Sequence, residues 1–257
     1  MGMVKIKSDT QMDAMREAGR VVAHALAAAR NAAGVGVELR ALDAAARDVL
    51  FKAGATSPFL DYHPDFAPVP FPATACVSVN DAIVHGIPDD YRLRDGDLVS
   101  VDYGAILDGW AGDSAISFTV GRARPEDVRL VETAFRALDA GIAAAVVGGR
   151  IGDIAHAIGT VCRSAGYGIP DGFAGHGIGR DMHEDPGVPN EGRAGRGMVL
   201  RHGMVLAIEP MVIGDGSDGY YPAADGWTLR TLSGARAAHA EHTVAVTDAG
   251  PRVLTLP

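Results

Sequence analysis

"GDLVSVDYGAILDGWAGDSAISF", residues 96–118, reads as two β-strands joined by a two-residue turn at Asp108-Gly109. That turn pairs Leu107 with Trp110, and counting back along both strands sets Asp113 opposite Gly104. Asp102 then becomes the diagonal neighbour of Asp113 on the same face, with Cα atoms roughly 7–8 Å apart. Aspartate is a poor strand former and costly to bury. Two carboxylates so placed repel each other unless a positive charge lies between them, and a metal ion supplies one. A turn residue beside a solvated one fits a lone pair of this kind equally well, so residues elsewhere must decide.

Three further stretches bear on the question. "FAGHGIGRDMHEDP" (173–186) sets His176 and His183 in a glycine-rich segment. "VLAIEPMVI" (205–213) carries Glu209 in an otherwise apolar strand, and "AHAEHTVAVT" (238–247) brings Glu241 into another. A glutamate in a buried strand is rare without a partner. Singly, each could be an edge residue paired with an arginine. Together, Asp102, Asp113, Glu209, Glu241 and one histidine make a set of oxygen ligands plus imidazole. Such a set suits paired hard-to-borderline cations held roughly 3.5–4 Å apart by bridging carboxylates. It contains no thiolate, which argues against a structural zinc. "GHGIG" lacks both the spacing and the strand-turn-helix setting of a dinucleotide loop, and neither H-E-x-x-H nor G-x-S-x-G occurs. Ser78 and Ser100 read as plain strand residues.

The rest of the chain sets the frame. It has 257 residues, 47% hydrophobic and 21% charged, with a formal net charge of −9. That composition is globular and gives no basic surface for nucleic acid or an anionic membrane. Two cysteines in unrelated contexts, Cys76 and Cys162, read as free thiols in a reducing compartment. The opening "MGMVKIKSDTQM" lacks a signal-peptide core, position 6 is not the Ser or Thr of a myristoylation signal, and "VVAHALAAA" is too short to span a bilayer. A cytoplasmic protein is expected.

Ser8 with Gln11 makes a capping box before a helix through Met12, Met15, Val22 and Leu26. A second helix runs from Leu39 through Leu50 to a stop at Gly54. Residues 55–75 have no periodicity and read as a long ordered loop, and strands follow from Cys76 to Val120. Pro125 then opens a third helix, a fourth runs from Ile151 to near Gly166, and short apolar strands complete the chain. A shift of 112 residues superimposes the helical pairs, taking Gly36 to Gly148, Leu39 to Ile151, Leu42 to Ile154 and Gly54 to Gly166. An α+β domain duplicated about a pseudo-two-fold axis is expected, with halves of about 8–120 and 125–250 in one domain over 1–257. The joint between them is the natural place for a site.

In order along the chain, "SVNDAIVHGIP", "VDYGAILDGWAGDS", "GHGIGRDMHEDP", "AIEPM" and "EHT" resemble the type I methionine aminopeptidases. The resemblance covers nearly the whole chain. It implies the pita-bread fold, a central antiparallel sheet with helices on its outer face, and an enzyme that removes N-terminal methionine when the second residue is small. It implies two divalent ions (Co, Mn, Fe or Zn) held by Asp102, Asp113, His176, Glu209 and Glu241. A hydroxide bridging them would attack the first peptide bond while Glu209 shuttles its proton. His85 would contact the substrate amide and His183 the scissile carbonyl, beside a pocket of Tyr62, Phe71, Cys76, Met182 and Trp227. Substrates would be peptides and nascent chains, the latter in transient contact with the ribosome, and the enzyme a monomer.

Three features depart from the family pattern: a longer loop from His63 to Ala75, Met182 where phenylalanine is common, and His239 where glutamine is frequent. X-Pro dipeptidases share the fold and much of the ligand set. They usually show Pro-Gly after the first glutamate, an aspartate after the second, and an added N-terminal domain. A non-catalytic binding protein on this fold would be expected to lose ligands, and all five stand here. Type II aminopeptidases carry a helical insertion between the positions of His183 and Glu209, where this chain has only a short segment.

Overall fold

A computed structural model describes residues 4–65 and 67–257. The first helical pair is α1 (Asp9–Ala32) and α2 (Leu39–Lys52). The capping box is formed: Gln11 N–H donates to Ser8 Oγ at 3.3 Å and Ser8 N–H to Gln11 Oε1 at 3.0 Å. Met12, Met15, Ala18, Val22, Ala25, Leu26 and Ala29 recur every three or four residues and are buried. α2 buries Leu39, Leu42, Ala46 and Leu50. The loop after it has neither helix nor strand among its described residues 53–65 and 67–74. It is anchored at Thr56, whose backbone exchanges hydrogen bonds of 2.9 and 2.8 Å with Ile106.

Strands β1 (Ala75–Val79), β2 (Ala82–Val84), β3 (Leu98–Leu107) and β4 (Trp110–Thr119) follow. The second helical pair is α3 (Pro125–Ala144) and α4 (Ile151–Ser164). Pro125 at the start of α3 lacks only an N–H that would be unbonded anyway, and Glu126 and Asp127 favour the positive end of the helix dipole. Gly36 and Gly148 precede the second helix of each pair with φ of +86° and +87°, and Gly54 and Gly166 follow it with +67° and +78°. The chain closes with β5 (Ala174–Gly177), β6 (Glu184–Pro189), β7 (Val205–Ile208), β8 (Met211–Ile213), β9 (Tyr220–Pro222), β10 (Leu229–Thr231), β11 (Ala237–His239), β12 (Glu241–Thr247) and β13 (Gly250–Val253).

Eight strands form the central sheet in the order β1-β3-β4-β12-β7-β5-β6, with β13 also against β12, and every pairing is antiparallel. One apolar core lies between α1, α2 and the β1–β3 end; a second lies between α3, α4 and the β7–β12 end. No helix of the described residues is long and apolar enough to cross a membrane.

One expectation is corrected. Residues 205–213 are not a single strand carrying Glu209: β7 ends at Ile208 and β8 begins at Met211 in a separate ribbon with β11. Pro210 has no N–H to continue the ladder, so the chain leaves the large sheet there. Opposite this break the chain returns at Ala240, whose N–H donates to Pro210 O at 3.2 Å. Glu209 is thus the last residue before the departure, and Glu241 the first after the return.

Candidate metal centre

The β3–β4 register is Leu107 against Trp110 and Gly104 against Asp113, as the turn chemistry requires. Asp108 and Gly109 both adopt positive φ, 50° and 73°, the geometry that lets a two-residue turn follow the strand twist. β12 extends this surface, pairing Glu241 with Ala115. Side chains lock that junction: Asp113 N–H donates to Thr243 Oγ1 at 2.9 Å, Thr243 Oγ1–H returns a bond to Asp113 O at 2.8 Å, and Ser114 Oγ–H donates to Glu241 O at 2.6 Å.

His176 arrives on β5, between β6 and β7. The glycines beside it are there for space. A Cβ on Gly175 would run into the Ala207 carbonyl of β7, and one on Gly177 into the Asp185 carbonyl of β6. Only glycine permits so close an approach. His176 Nδ1–H donates to Gly177 O at 2.9 Å, which leaves Nε2 as a lone pair facing Glu209 Oε1 at 3.6 Å and Asp113 Oδ2 at 3.8 Å.

Asp102, Asp113, His176, Glu209 and Glu241 all line one cavity of about 290 Å³. Ligand atoms of Asp113, His176 and Glu241 lie within 4.8 Å of one another. Asp102 Oδ1, Asp113 Oδ1 and Glu241 Oε1 are buried with no hydrogen-bond partner. Leaving such atoms unmade is costly, and among the described residues no lysine or arginine lines the cavity to neutralise them. Burial, reinforced by Glu209, pushes the Asp102 carboxyl up to about 7, and burial pushes Glu209 up to about 8. Burial and the neighbouring carboxylates hold Asp113 and Glu241 well above the usual range. Burial lowers His176 to about 4, keeping it neutral. Four carboxylates that resist ionising together, beside a neutral imidazole, fit a divalent cation closely.

A testable consequence follows for protein stripped of metal. Carboxyls whose folded pKa is raised favour the fold while protonated, and that contribution disappears as pH climbs through the folded value. The lowered histidines contribute in the opposite sense, and that contribution is nearly complete by about pH 7.5. Metal-free protein should therefore melt roughly 5–10 °C lower at pH 9 than at pH 7.5, and saturating divalent metal should abolish the drop. A flat melting temperature in the stripped protein would contradict it.

Around the carboxylates the cavity wall is apolar. Trp227 meets Phe71 edge-on at 5.1 Å, and Tyr62, Cys76 and His85 also face in. His85 has a left-handed backbone, φ 59°, and at Gly86 beside it a Cβ would strike the Val77 carbonyl. Burial lowers the His85 ring to about 4. His183 stays exposed at the mouth, 4.4 Å from His176 by ring centroids. Its loop is tied on both sides. Glu184 pairs with buried Lys7 at 2.7 Å, while Arg180 lies 3.8 Å over the Trp110 ring and donates to Asp108 O and Gly109 O.

Met182 is not brought into the lining. It packs over Gly104, against the cluster containing Trp110 and Ile178. Phe59, Phe173 and Met211 line the cavity as well. Phe173 stands three residues before His176 and Met211 two after Glu209, whereas Phe59 sits in the aperiodic loop and gives no signal.

The model of metallopeptidase family M24 matches residues 13–248. Methionine aminopeptidase 1 of Mycobacterium tuberculosis is 51% identical over 99% of this chain and 96% of its own length. Methionine aminopeptidase 1 of Bacillus subtilis is 40% identical over 98% of this chain and 99% of its own. The crystal structure of methionine aminopeptidase from Thermotoga maritima superposes with a TM-score of 0.94 at 36% identity, covering 99% of this chain and all of the other. A prolidase from Pyrococcus horikoshii shares the fold at a TM-score of 0.78, but at 23% identity and over only 63% of its length. With its curled antiparallel sheet, helical pairs and acid-lined centre, this pita-bread chain belongs to metallopeptidase family M24, among the methionine aminopeptidases.

Proposed function

We propose that this protein removes N-terminal methionine from peptides and nascent chains whose second residue is small, using two divalent cations held by Asp102, Asp113, His176, Glu209 and Glu241. The observation that carries this is the set of buried carboxylate oxygens without partners at the floor of an apolar-walled cavity. Co, Mn, Fe and Zn all suit oxygen-plus-imidazole ligation. When bound, such ions supply a water of lowered pKa and polarise the scissile carbonyl.

The chain's own groups do the rest. Glu209 takes the proton of the attacking water on its carboxylate and passes it toward the leaving amine. His183, at the mouth, donates its ring N–H to the carbonyl oxygen as negative charge grows there. His85 faces the substrate amide and fixes its orientation. Phe71, Cys76, Trp227 and Tyr62 form a narrow apolar wall that suits an unbranched thioether. A free α-amino group must sit among the carboxylates, so only a terminal residue is removed. The matched glycines at 36 and 148 and at 54 and 166 support a duplicated domain with halves of about 8–120 and 125–250, the site lying at their joint. Two unpaired buried cysteines support a cytoplasmic place of action.

The test is release of methionine from Met-Gly-, Met-Leu- and X-Pro-headed peptides by stripped protein with each metal restored. Cleavage of Met-Gly alone, and only with metal, is expected. Cleavage confined to X-Pro peptides would move the chain to the dipeptidases, and silence under every metal would overturn the enzyme reading. In the same assay His183→Ala should cut kcat about 100-fold while metal content stays unchanged. Parallel loss of both would give His183 a ligand's role instead.

A further inference from the structure

His239 takes no part in the scheme above, yet it is 2% exposed and its Nε2 has no hydrogen-bond partner. That atom lies 3.6 Å from Glu209 Oε2 and 3.9 Å from Glu241 Oε2. On the other side of Glu209, His176 Nε2 lies 3.6 Å from Oε1 and 3.8 Å from Asp113 Oδ2. The two imidazoles thus address the two oxygens of one carboxylate at matching distances. These separations exceed a hydrogen bond. The two 3.6 Å separations suit pairs of atoms bound to one cation, which at bond lengths of about 2.0–2.2 Å in a tetrahedral arrangement lie roughly 3.3–3.6 Å apart. The backbone cannot drift: His239 N–H donates to Ser117 Oγ at 2.9 Å, and Ser117 Oγ–H donates to His239 O at 2.7 Å.

The geometry points to His239 as an additional metal ligand, giving this centre two imidazoles, one for each cation. This rests on the two-cation reading above. A second imidazole raises affinity for borderline ions such as cobalt and zinc more than for manganese, which prefers oxygen.

The test uses stripped full-length protein loaded with two equivalents of cobalt(II), with X-ray absorption to count imidazoles per metal and calorimetry to follow each equivalent. Wild type should show about one imidazole per cobalt, and His239→Gln about half. The substitution should weaken the second cobalt about 10- to 100-fold, leave the first unchanged, and shift manganese by less than about threefold. An unaltered first equivalent reports that the variant has folded. Half an imidazole per cobalt in wild type, or an unchanged count in the variant, would overturn the proposal even with two cobalts bound. A single bound cobalt would sink the two-cation reading instead. His239 would then stand only if the count per cobalt were two, falling to one in the variant.

Discussion

Replacing Asp113 by asparagine should abolish turnover, lowering kcat/KM by about a thousandfold or more, and should cut the affinity for both cations. Asp113 lies 3.8 Å from His176 Nε2 and shares the cavity with Asp102, Glu209 and Glu241, with Oδ1 unpartnered. An amide there removes a negative charge that two cations need and turns a donor group toward them. The fold should survive. In the metal-free state the same change relieves repulsion among buried carboxylates, so the stripped variant should melt no lower than stripped wild type. Loss of activity with retained melting temperature separates a ligand from a packing residue. Near-normal turnover would sink the paired-metal model.

The second large effect is expected at Gly175, through space alone. Alanine would drive its Cβ into the Ala207 carbonyl, and nearby Glu209 Cγ would be 3.4 Å away. Two backbones that touch cannot yield as a side-chain tip can, so β5 must move off β7 and take His176 away from Glu209. A loss of about 3 kcal/mol in stability is expected, together with at least about tenfold weaker metal binding. Gly187 is the matched control. It pairs with His176 across β6, its position is open, and Gly187→Ala should change stability by less than about 0.5 kcal/mol. Equal tolerance at both sites, followed by thermal melts and calorimetry, would show that β5 has room to spare.

Lys7 and Glu184 are each nearly fully buried, and their pairing fixes the loop bearing His183 without touching the cavity. The two residues stand 177 positions apart, and no local pattern joins them.

What the sequence determined by itself is what short-range rules govern. Asp108-Gly109 demands positive φ at both positions, so the hairpin register, and with it the placing of Asp102 near Asp113, follows from neighbours in the chain. The Ser8 capping box, Pro125, the glycine stops at 54 and 166 and apolar spacing set α1 through α4 in the same local way, and the order of the sequence motifs carried the family. Tertiary structure alone decided the rest. The apolar run around Glu209 reads as one strand because hydrophobicity cannot reveal that Pro210 moves the chain to another ribbon. Met182 stands next to His183, yet its side chain fills the gap over Gly104, while Phe59 enters the cavity from an aperiodic loop. His239, two residues before Glu241, turns its ring to Glu209 because Ser117 on a neighbouring strand grips its backbone. Close approach, side-chain direction and the meeting of buried charges depend on partners distant in the chain, and no local pattern encodes distances between them.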